Sequence, residues 1–129
     1  MVINMAWEMD SDRPIYTQIL EKIQTMIICG MYKPGDKLPS VRELAALANV
    51  NPNTMQRALT ELERSGLIIT QRNSGRTVTT DTEIIGAAKH EIALKNTQEF
   101  LKNMRDIGFS DSEITSIINE TLRGGQNIE

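Results

Sequence analysis

The order of apolar and polar residues divides the chain into helices, with one stretch that alternates as strands do. Isoleucine recurs every four residues from Ile15 to Ile27, which predicts a first amphipathic helix. We expect Asp12 to cap the start of this helix, with Pro14 in its first turn. The same helix is predicted to end at Gly30.

Two short helices follow, and both have clear start signals. Ser40 stands three residues before Glu43, the spacing of a capping box, so one helix is predicted over Val41–Ala48. The next begins after Asn51, a favoured N-cap residue, and stops at Gly66. About three residues separate these helices, the length of the sharp turn in a helix-turn-helix.

A β-hairpin is predicted directly after the second of these helices. Leu67–Thr70 and Thr77–Thr80 are β-prone, and Arg72–Arg76 lies between them as the turn. A helix-turn-helix followed by a hairpin is the layout of a winged helix-turn-helix, a DNA-binding architecture. The first domain, mainly α with a small β-hairpin, is therefore predicted over residues 1–80, and a second domain over residues 81–129.

The second domain is predicted to consist of two helices. The first covers residues 82–107 and is broken by Gly108. Ser110 and Glu113 then form a capping box for the other helix, which we expect to end at Gly124-Gly125. Two helices alone bury too little surface to be stable, so we expect them to pack against the same pair from a second copy. The chain is therefore expected to be a homodimer.

The polar face of the second short helix carries side chains that can recognise bases. Asparagine and glutamine amides pair with adenine in the major groove, and arginine pairs with guanine. The helix start also offers free backbone N–H groups to phosphate. The DNA-binding candidates on this helix and the one before it are Arg42, Asn51, Asn53, Thr54, Gln56 and Arg57. In the hairpin turn, Arg72, Ser74 and Arg76 are expected to lie against the DNA backbone or in the minor groove.

Several of these candidates also have an ordinary structural interpretation. Asn51 is first of all a helix cap, and Arg57 can form a surface ion pair with Glu61, four residues further on. Arg72 and Arg76 can be simple exposed hairpin residues. The ordered series of motifs, rather than any one residue, favours DNA binding.

The net charge of −3 argues against DNA binding until it is divided along the chain. Residues 33–80 hold seven Lys and Arg against four Asp and Glu, a net charge of +3. Residues 81–129 hold five against nine, a net charge of −4. Because local charge sets the attraction to phosphate, the positive segment is the one expected to contact DNA.

Residues 10–79 resemble the N-terminal DNA-binding domain of the GntR family of bacterial transcription regulators. Five motifs carry the resemblance, in the order Gly35–Ser40, Arg42–Ala45, Val50–Thr54, Ala58–Glu63 and Gly66–Ile68. The short second domain is similar to that of the YtrA-type subfamily, a small helical dimerisation unit. The resemblance implies operator contacts by Arg42, by the start of the recognition helix and by the wing, including Gly75. It also implies transporter operons as targets.

Other functions find little support in the sequence. No nucleophile has a base placed beside it and no phosphate-binding glycine loop is present, so we expect neither an enzyme nor a cofactor. Cys29 is expected to be a small buried hydrophobe, and His90 to be solvated rather than a metal ligand. Phe100, Met104 and Phe109 are expected to be core residues, with a small-molecule effector site as the alternative.

The expected location and mode of action follow from the same features. No apolar run is long enough to cross a membrane and no secretory leader is evident, so the cytoplasm is expected. Repression is the default, because so small a dimer has little spare surface for contacting polymerase. A winged helix that binds another protein instead of DNA is the alternative function, and acidic or apolar groups on the recognition face would favour it.

Overall fold

The computed structural model describes residues 7–128, and the side chains of residues 7–125. Within that range the chain forms five helices and one two-stranded antiparallel sheet. In chain order the elements are α1 (Ile15–Ile28), α2 (Val41–Ala48), α3 (Pro52–Ser65), β1 (Ile68–Gln71), β2 (Gly75–Val78), α4 (Thr82–Asp106) and α5 (Asp111–Ile128). The predicted fold class, mainly helical with a small hairpin, is confirmed.

The start and end signals of α2 and α3 act as predicted. The Ser40 hydroxyl accepts from the Glu43 N–H at 3.1 Å, and the Glu43 carboxylate accepts from the Ser40 N–H at 2.9 Å. The backbone bond, and after it the bond with the hydroxyl, lowers the pKa of Glu43 from its ordinary value. α3 begins with Asn51 as its cap and ends at Gly66, whose φ of +86° is a conformation that suits glycine.

The start of α1 differs from the prediction. Pro14 is the cap residue and makes no side-chain hydrogen bond, so Asp12 does not cap this helix. The buried Gln18 side chain instead holds the preceding segment, accepting from the Asp10 N–H at 2.6 Å and donating to the Asp10 carbonyl at 2.8 Å. A glutamine inside the helix thus fixes the entering chain.

Two further predictions are wrong. α5 continues through Gly124 and Gly125 to Ile128 instead of ending at the glycines. Glycine costs a helix about 1 kcal/mol relative to alanine, which weakens the helix without stopping it. Cys29 is exposed rather than buried, because α1 ends at Ile28 and the cysteine lies just beyond its apolar stripe.

The first three helices and the hairpin share one hydrophobic core. α3 packs against α1, α2 and β1. At the centre, Ile23, Met55 and Leu59 are at most 1% exposed, and full burial of such a side chain contributes roughly 1.5–3 kcal/mol. The other buried members are Ile19, Ile27, Leu38, Leu44, Ala45, Ala48, Ala58, Leu62, Leu67, Ile68 and Val78. The core therefore holds one face of α3 and leaves the other free.

The hairpin is fixed to this core from both sides of β2. β1 pairs with β2 in the antiparallel register that places Ile68 opposite Val78. The segment before α2 runs along the other edge of β2. There the Leu38 N–H donates to the Arg76 carbonyl at 2.9 Å. The Val78 N–H donates to the Asp36 carbonyl at 2.8 Å. β2 is therefore hydrogen-bonded along both of its edges, to β1 and to the segment before α2.

The chain divides into two compact units, and α4 takes part in both. One unit ends at Lys89 and the other begins at His90, whereas the sequence predicts the domain boundary before α4. The difference arises because the first turns of α4 supply Ile84, Ile85 and Ala88 to the core just described. We call the first the head unit and the second the tail unit.

The tail unit has a small interior and a large apolar surface. Gly108, with φ of +99°, forms the turn after α4, and the Glu113 carboxylate caps α5 by accepting from the Ser110 N–H at 2.9 Å. Among the side chains described for this unit, Ile114 is the one large hydrophobic residue that is fully buried, at 1% exposed. The exposed large hydrophobic residues, between 37% and 69%, are Leu94, Phe100, Ile107, Ile118 and Leu122.

Candidate nucleic-acid interface

α3 has one buried face and one polar face. The residues that enter the core of the head unit are Met55, Ala58, Leu59 and Leu62. Because a helix repeats every 3.6 residues, Asn53, Gln56 and Arg57 lie away from that face, and all three are exposed. Thr54, between the two faces, is half-buried. The predicted base contacts on α3 thus share a surface open to solvent.

Two amides on this surface are already partly engaged. The Asn51 Oδ1 accepts from the Asn53 N–H at 2.8 Å, so Asn51 is the helix cap. The Gln56 Nε2 donates to the Thr60 hydroxyl at 3.3 Å, which holds the amide along the helix. Within the described residues, the Asn51 Nδ2 and the Gln56 Oε1 keep free hydrogen-bonding capacity. Both side chains can still pair with a base edge.

Arg57 is held by an aromatic ring instead of an acid. Its Cζ lies over the Tyr16 ring of α1, 3.7 Å from the ring centroid. The alternative pairing with Glu61 is not formed, because Glu61 pairs with Arg64 at 3.1 Å. The positive charge of Arg57 therefore stays unneutralised on the exposed face of α3.

Two exposed cations near the start of α2 make no ion pair with any described residue. Arg42 lies in the first turn of α2, as predicted. Lys37 was not among the sequence candidates. Its side chain lies 3.9 Å from the position that a Cβ on Gly75 would take, so it borders the wing. A positive charge directly after the turn at residues 33–36 was the sequence signal that could have identified it.

The wing turn is shorter than predicted. Arg72–Ser74 connect the strands, since β2 already begins at Gly75. Asn73 and Gly75 both have φ of +80°, a conformation that glycine adopts freely and asparagine tolerates. Arg72, Ser74 and Gly75 are exposed. Of the two arginines expected at the tip, Arg72 alone lies there.

Arg76 lies on β2, and its guanidinium is turned to α3. Its Nε donates to the Glu63 carboxylate at 2.5 Å, and the side chain is 19% exposed. The same carboxylate accepts from the Thr70 hydroxyl of β1 at 2.6 Å. The Thr70 bond first, and the Arg76 contact after it, lower the pKa of Glu63 from its ordinary value, although partial burial opposes them. We call Glu63, Thr70 and Arg76 the wing clamp, because they tie both strands to α3.

Two open grooves bring the predicted contacts of different elements together. The wing groove lies between the start of α2 and the hairpin, and its lining is Lys37–Val41, Glu43 and Asn73–Arg76. The α1–α3 groove has the lining Pro14–Tyr16, Asn53, Thr54 and Arg57. The polar face of α3 is therefore bordered by α1, and the start of α2 by the wing.

A closed core that presents a polar helix face with an unpaired arginine, next to a basic wing, is typical of a DNA-binding winged helix-turn-helix protein. Among the described residues, His90 is exposed and no three His, Cys, Asp or Glu side chains are clustered to hold a metal ion. No helix in the same part of the chain is both long and apolar enough to span a membrane.

Comparison with known sequences defines the class more closely. Residues 15–78 match the family described as bacterial regulatory proteins, gntR family. The chain is 36% identical over 118 residues to the uncharacterized HTH-type transcriptional regulator YhcF of Bacillus subtilis, a match over 92% of this chain and 98% of that protein. It is 52% identical over 65 residues to the HTH-type transcriptional repressor YtrA of the same organism, a match over 50% of each.

Comparison with solved structures points to the same family. A GntR family transcriptional regulator from Listeria monocytogenes superposes with a TM-score of 0.81 at 40% identity, over 87% of this chain and 98% of that one. The DNA-binding domain of AraR, in complex with operator ORX1, gives a TM-score of 0.50 at 30% identity, over 52% and 81%. The chain belongs to the GntR family of bacterial regulatory proteins, and it is a transcription regulator with a DNA-binding domain, not an enzyme.

Proposed function

We propose that this chain binds operator DNA as a homodimer and represses transcription. The observation that carries the proposal is the unneutralised positive charge on the polar surface of the head unit. Its members are Arg42, Arg57 and Arg72, none of which forms an ion pair with a described residue. Lys37 adds a further positive charge beside the wing, where it also interacts with the Glu43 carboxylate. DNA phosphates supply the missing negative charge. The operator complex of the AraR domain, which has a similar fold, supports the same use of the surface.

The contacts divide by element. We assign base contacts to the start of α3, where Asn51, Asn53, Thr54, Gln56 and Arg57 combine amides, a hydroxyl and a guanidinium. We assign mainly backbone contacts to Arg42 and Lys37, and to the wing residues Arg72, Ser74, Gly75 and Arg76. Arg76 differs from the others, because the wing clamp already uses its Nε and leaves only its terminal amino groups for phosphate.

The homodimer accounts for the exposed apolar surface of the tail unit. A pair of helices with one fully buried large side chain gains little from folding alone. Packing Ile107, Ile118 and Leu122 against the same residues of a second copy removes that surface from water. Two-fold symmetry would then present two head units to a pseudo-palindromic operator.

Repression, the target class and the place of action are proposed from the relatives of the chain. YtrA, half of which matches this chain, is named a transcriptional repressor. The resemblance to the YtrA-type subfamily suggests transporter operons, and a protein that binds a bacterial operator would act in the cytoplasm. Phe100, Met104 and Phe109 were expected in a core, but Phe100 is exposed and the other two are half-buried. Their apolar surface suits the proposed interface between two copies, and an apolar effector is the alternative.

A mobility shift with the DNA upstream of the chain's own gene tests the proposal. Binding is measured over a salt series, with a scrambled duplex of equal length as the control. We expect selective binding that weakens steeply as salt rises, because each phosphate contact releases counterions. Equal, weak binding to both duplexes would exclude this operator. No binding at low salt would favour the alternative, a winged helix that binds another protein.

A further inference from the structure

The contact between Arg57 and Tyr16 links the DNA-facing surface of α3 to a different helix. Arg57 is exposed, in the second turn of α3, and its Cζ lies 3.7 Å from the centroid of the Tyr16 ring. Tyr16 is half-buried, near the start of α1. α1 in turn packs against α3 through Ile19 and Ile23. The ring is therefore held by the core of the head unit while it contacts a side chain on the exposed face of α3.

An arginine in this position would ordinarily be neutralised or free to move. Glu61, one turn further along α3, is the nearest acid in sequence, but its carboxylate pairs with Arg64 at 3.1 Å. A free arginine loses rotamer entropy when it binds a ligand. An arginine stacked on a ring has already lost part of that freedom, and the ring carries no charge that would compete with phosphate.

Stacking also sets the direction of the hydrogen-bond donors. A guanidinium that lies face-down on a ring keeps its N–H groups in its own plane, directed away from the ring. It can then donate two parallel bonds to a guanine edge or to a phosphate without leaving the ring. The α1–α3 groove brings Asn53 and Thr54, both predicted DNA contacts, to the same place.

We infer that Tyr16 is a positioning residue for operator binding, which holds the Arg57 guanidinium flat and ready to donate to DNA. The inference rests on the proposed function, since it concerns the same surface. It adds a residue outside the helix-turn-helix and its wing to the determinants of affinity. Tyr16 acts through Arg57, and its own hydroxyl is not needed for binding.

A double-mutant cycle tests this assignment. Operator affinity is measured for the wild type, Tyr16→Leu, Arg57→Ala and the double variant, with Tyr16→Phe as the matched control that keeps the ring. We expect Tyr16→Leu to weaken binding about fivefold to tenfold, since the Arg57 side chain of each subunit must then lose its rotamer freedom on binding. We expect Tyr16→Phe to bind like the wild type. In the Arg57→Ala background, Tyr16→Leu should have no further effect.

Measurements without DNA separate positioning from folding. Thermal unfolding of each variant shows whether the head unit is intact, and Tyr16→Met replaces Tyr16→Leu if the latter is unfolded. The Arg57 Hε proton should show an upfield ring-current shift in the wild type and in Tyr16→Phe, and lose it in Tyr16→Leu. Absence of that shift in the wild type would overturn the inference.

The operator itself distinguishes the two acceptors open to Arg57. If the guanidinium reads a guanine, Arg57→Ala relaxes the preference at one position of each half-site. If it binds a phosphate, the loss is uniform across sequences and the salt slope falls by about one per subunit. Equal losses for Tyr16→Phe and Tyr16→Leu, or losses that add in the double variant, would overturn the inference alone. Failure of the wild type to bind would overturn the proposed function with it.

Discussion

The head unit and the tail unit solve the burial of apolar side chains in different ways. In the head unit, α1, α2, α3 and the hairpin enclose a core in which Ile19, Leu44 and Met55 have no exposed surface. In the tail unit, Ile114 is fully buried, while Ile107 and Leu122 are more than 60% exposed, at 69% and 62%. The head unit buries its apolar side chains within one chain, whereas the described part of the tail unit leaves several of them exposed.

This difference predicts how the stability of each unit depends on protein concentration. The stability of the head unit comes from contacts within one chain, so it should not depend on protein concentration. The stability of the tail unit should depend on it, because the proposed association would remove its apolar surface from water. Under the proposal, the head unit contacts DNA and the tail unit joins the two copies.

The largest expected effect is a core deletion in the head unit. Leu59→Ala should lower the free energy of unfolding by about 2–5 kcal/mol, because it leaves a cavity among fully buried neighbours. Urea denaturation at two protein concentrations measures the loss, which should be the same at both. The control is Leu94→Ala in the tail unit, where the side chain is 48% exposed and the loss of unfolding free energy should be smaller. An equal loss from both substitutions would remove the distinction between the units.

A charge on the apolar face of α5 should separate the subunits. Leu122→Glu places a carboxylate where a second copy is proposed to pack, and the tail is already acidic. Sedimentation should show a monomer, and operator affinity should fall about a hundredfold, since two half-sites are no longer bound together. Ser116→Glu, the same charge on the exposed opposite side of α5, should remain dimeric. A dimeric Leu122→Glu variant would contradict the proposed interface.

Removing free cations of the head unit should weaken DNA binding without unfolding it. Arg42→Ala and Arg72→Ala should each weaken operator binding roughly tenfold, and each should reduce the salt slope by about one per subunit. Fluorescence anisotropy over a salt series measures both quantities. Arg64→Ala is the control, since Arg64 is paired with Glu61 in the last turn of α3. If Arg64→Ala lost as much affinity as Arg42→Ala, the assigned surface would be wrong.

The smallest expected effect concerns the wing clamp. Glu63→Gln removes the charged acceptor shared by Thr70 and Arg76, and should cost roughly 1 kcal/mol of stability. Because the pKa of Glu63 is lowered in the folded state, its contribution is present above the unfolded pKa and is lost as pH falls through the folded pKa. The Tm, measured from pH 7 down to acid, should therefore decrease less steeply with falling pH in the variant than in the wild type. Glu61→Gln is the control. If Glu63→Gln left the dependence of Tm on pH unchanged, the wing clamp would not contribute to stability.

Local signals allowed most of the head unit to be predicted from sequence. Ser40 with Glu43, Asn51 and Gly66 each act on backbone groups a few residues away, so their roles are visible in the order of the residues. The same holds for the capping box at the start of α5. Such signals were sufficient to predict α2, α3, the turn between these two helices and the polar face of α3.

Contacts between distant residues could not be predicted in this way. Arg76 was expected at an exposed tip, but its partner Glu63 lies on α3, and only the register of the hairpin brings them together. Arg57 was predicted as a DNA contact, with an ion pair to Glu61 as the alternative, and neither interpretation included the Tyr16 ring that the packing of α1 on α3 brings beside it. A substitution of Arg76 is therefore a poor test of DNA contact alone, because it also releases the wing.

The central claim is that two head units, joined by their tail units, bind one operator. Hydroxyl-radical footprinting on the bound duplex, with native mass spectrometry of the same complex, tests it most directly. The account predicts two chains per duplex and two protected stretches related by two-fold symmetry, about one helical turn of 10 base pairs or a multiple of it apart. One chain per duplex with a single protected stretch would contradict it.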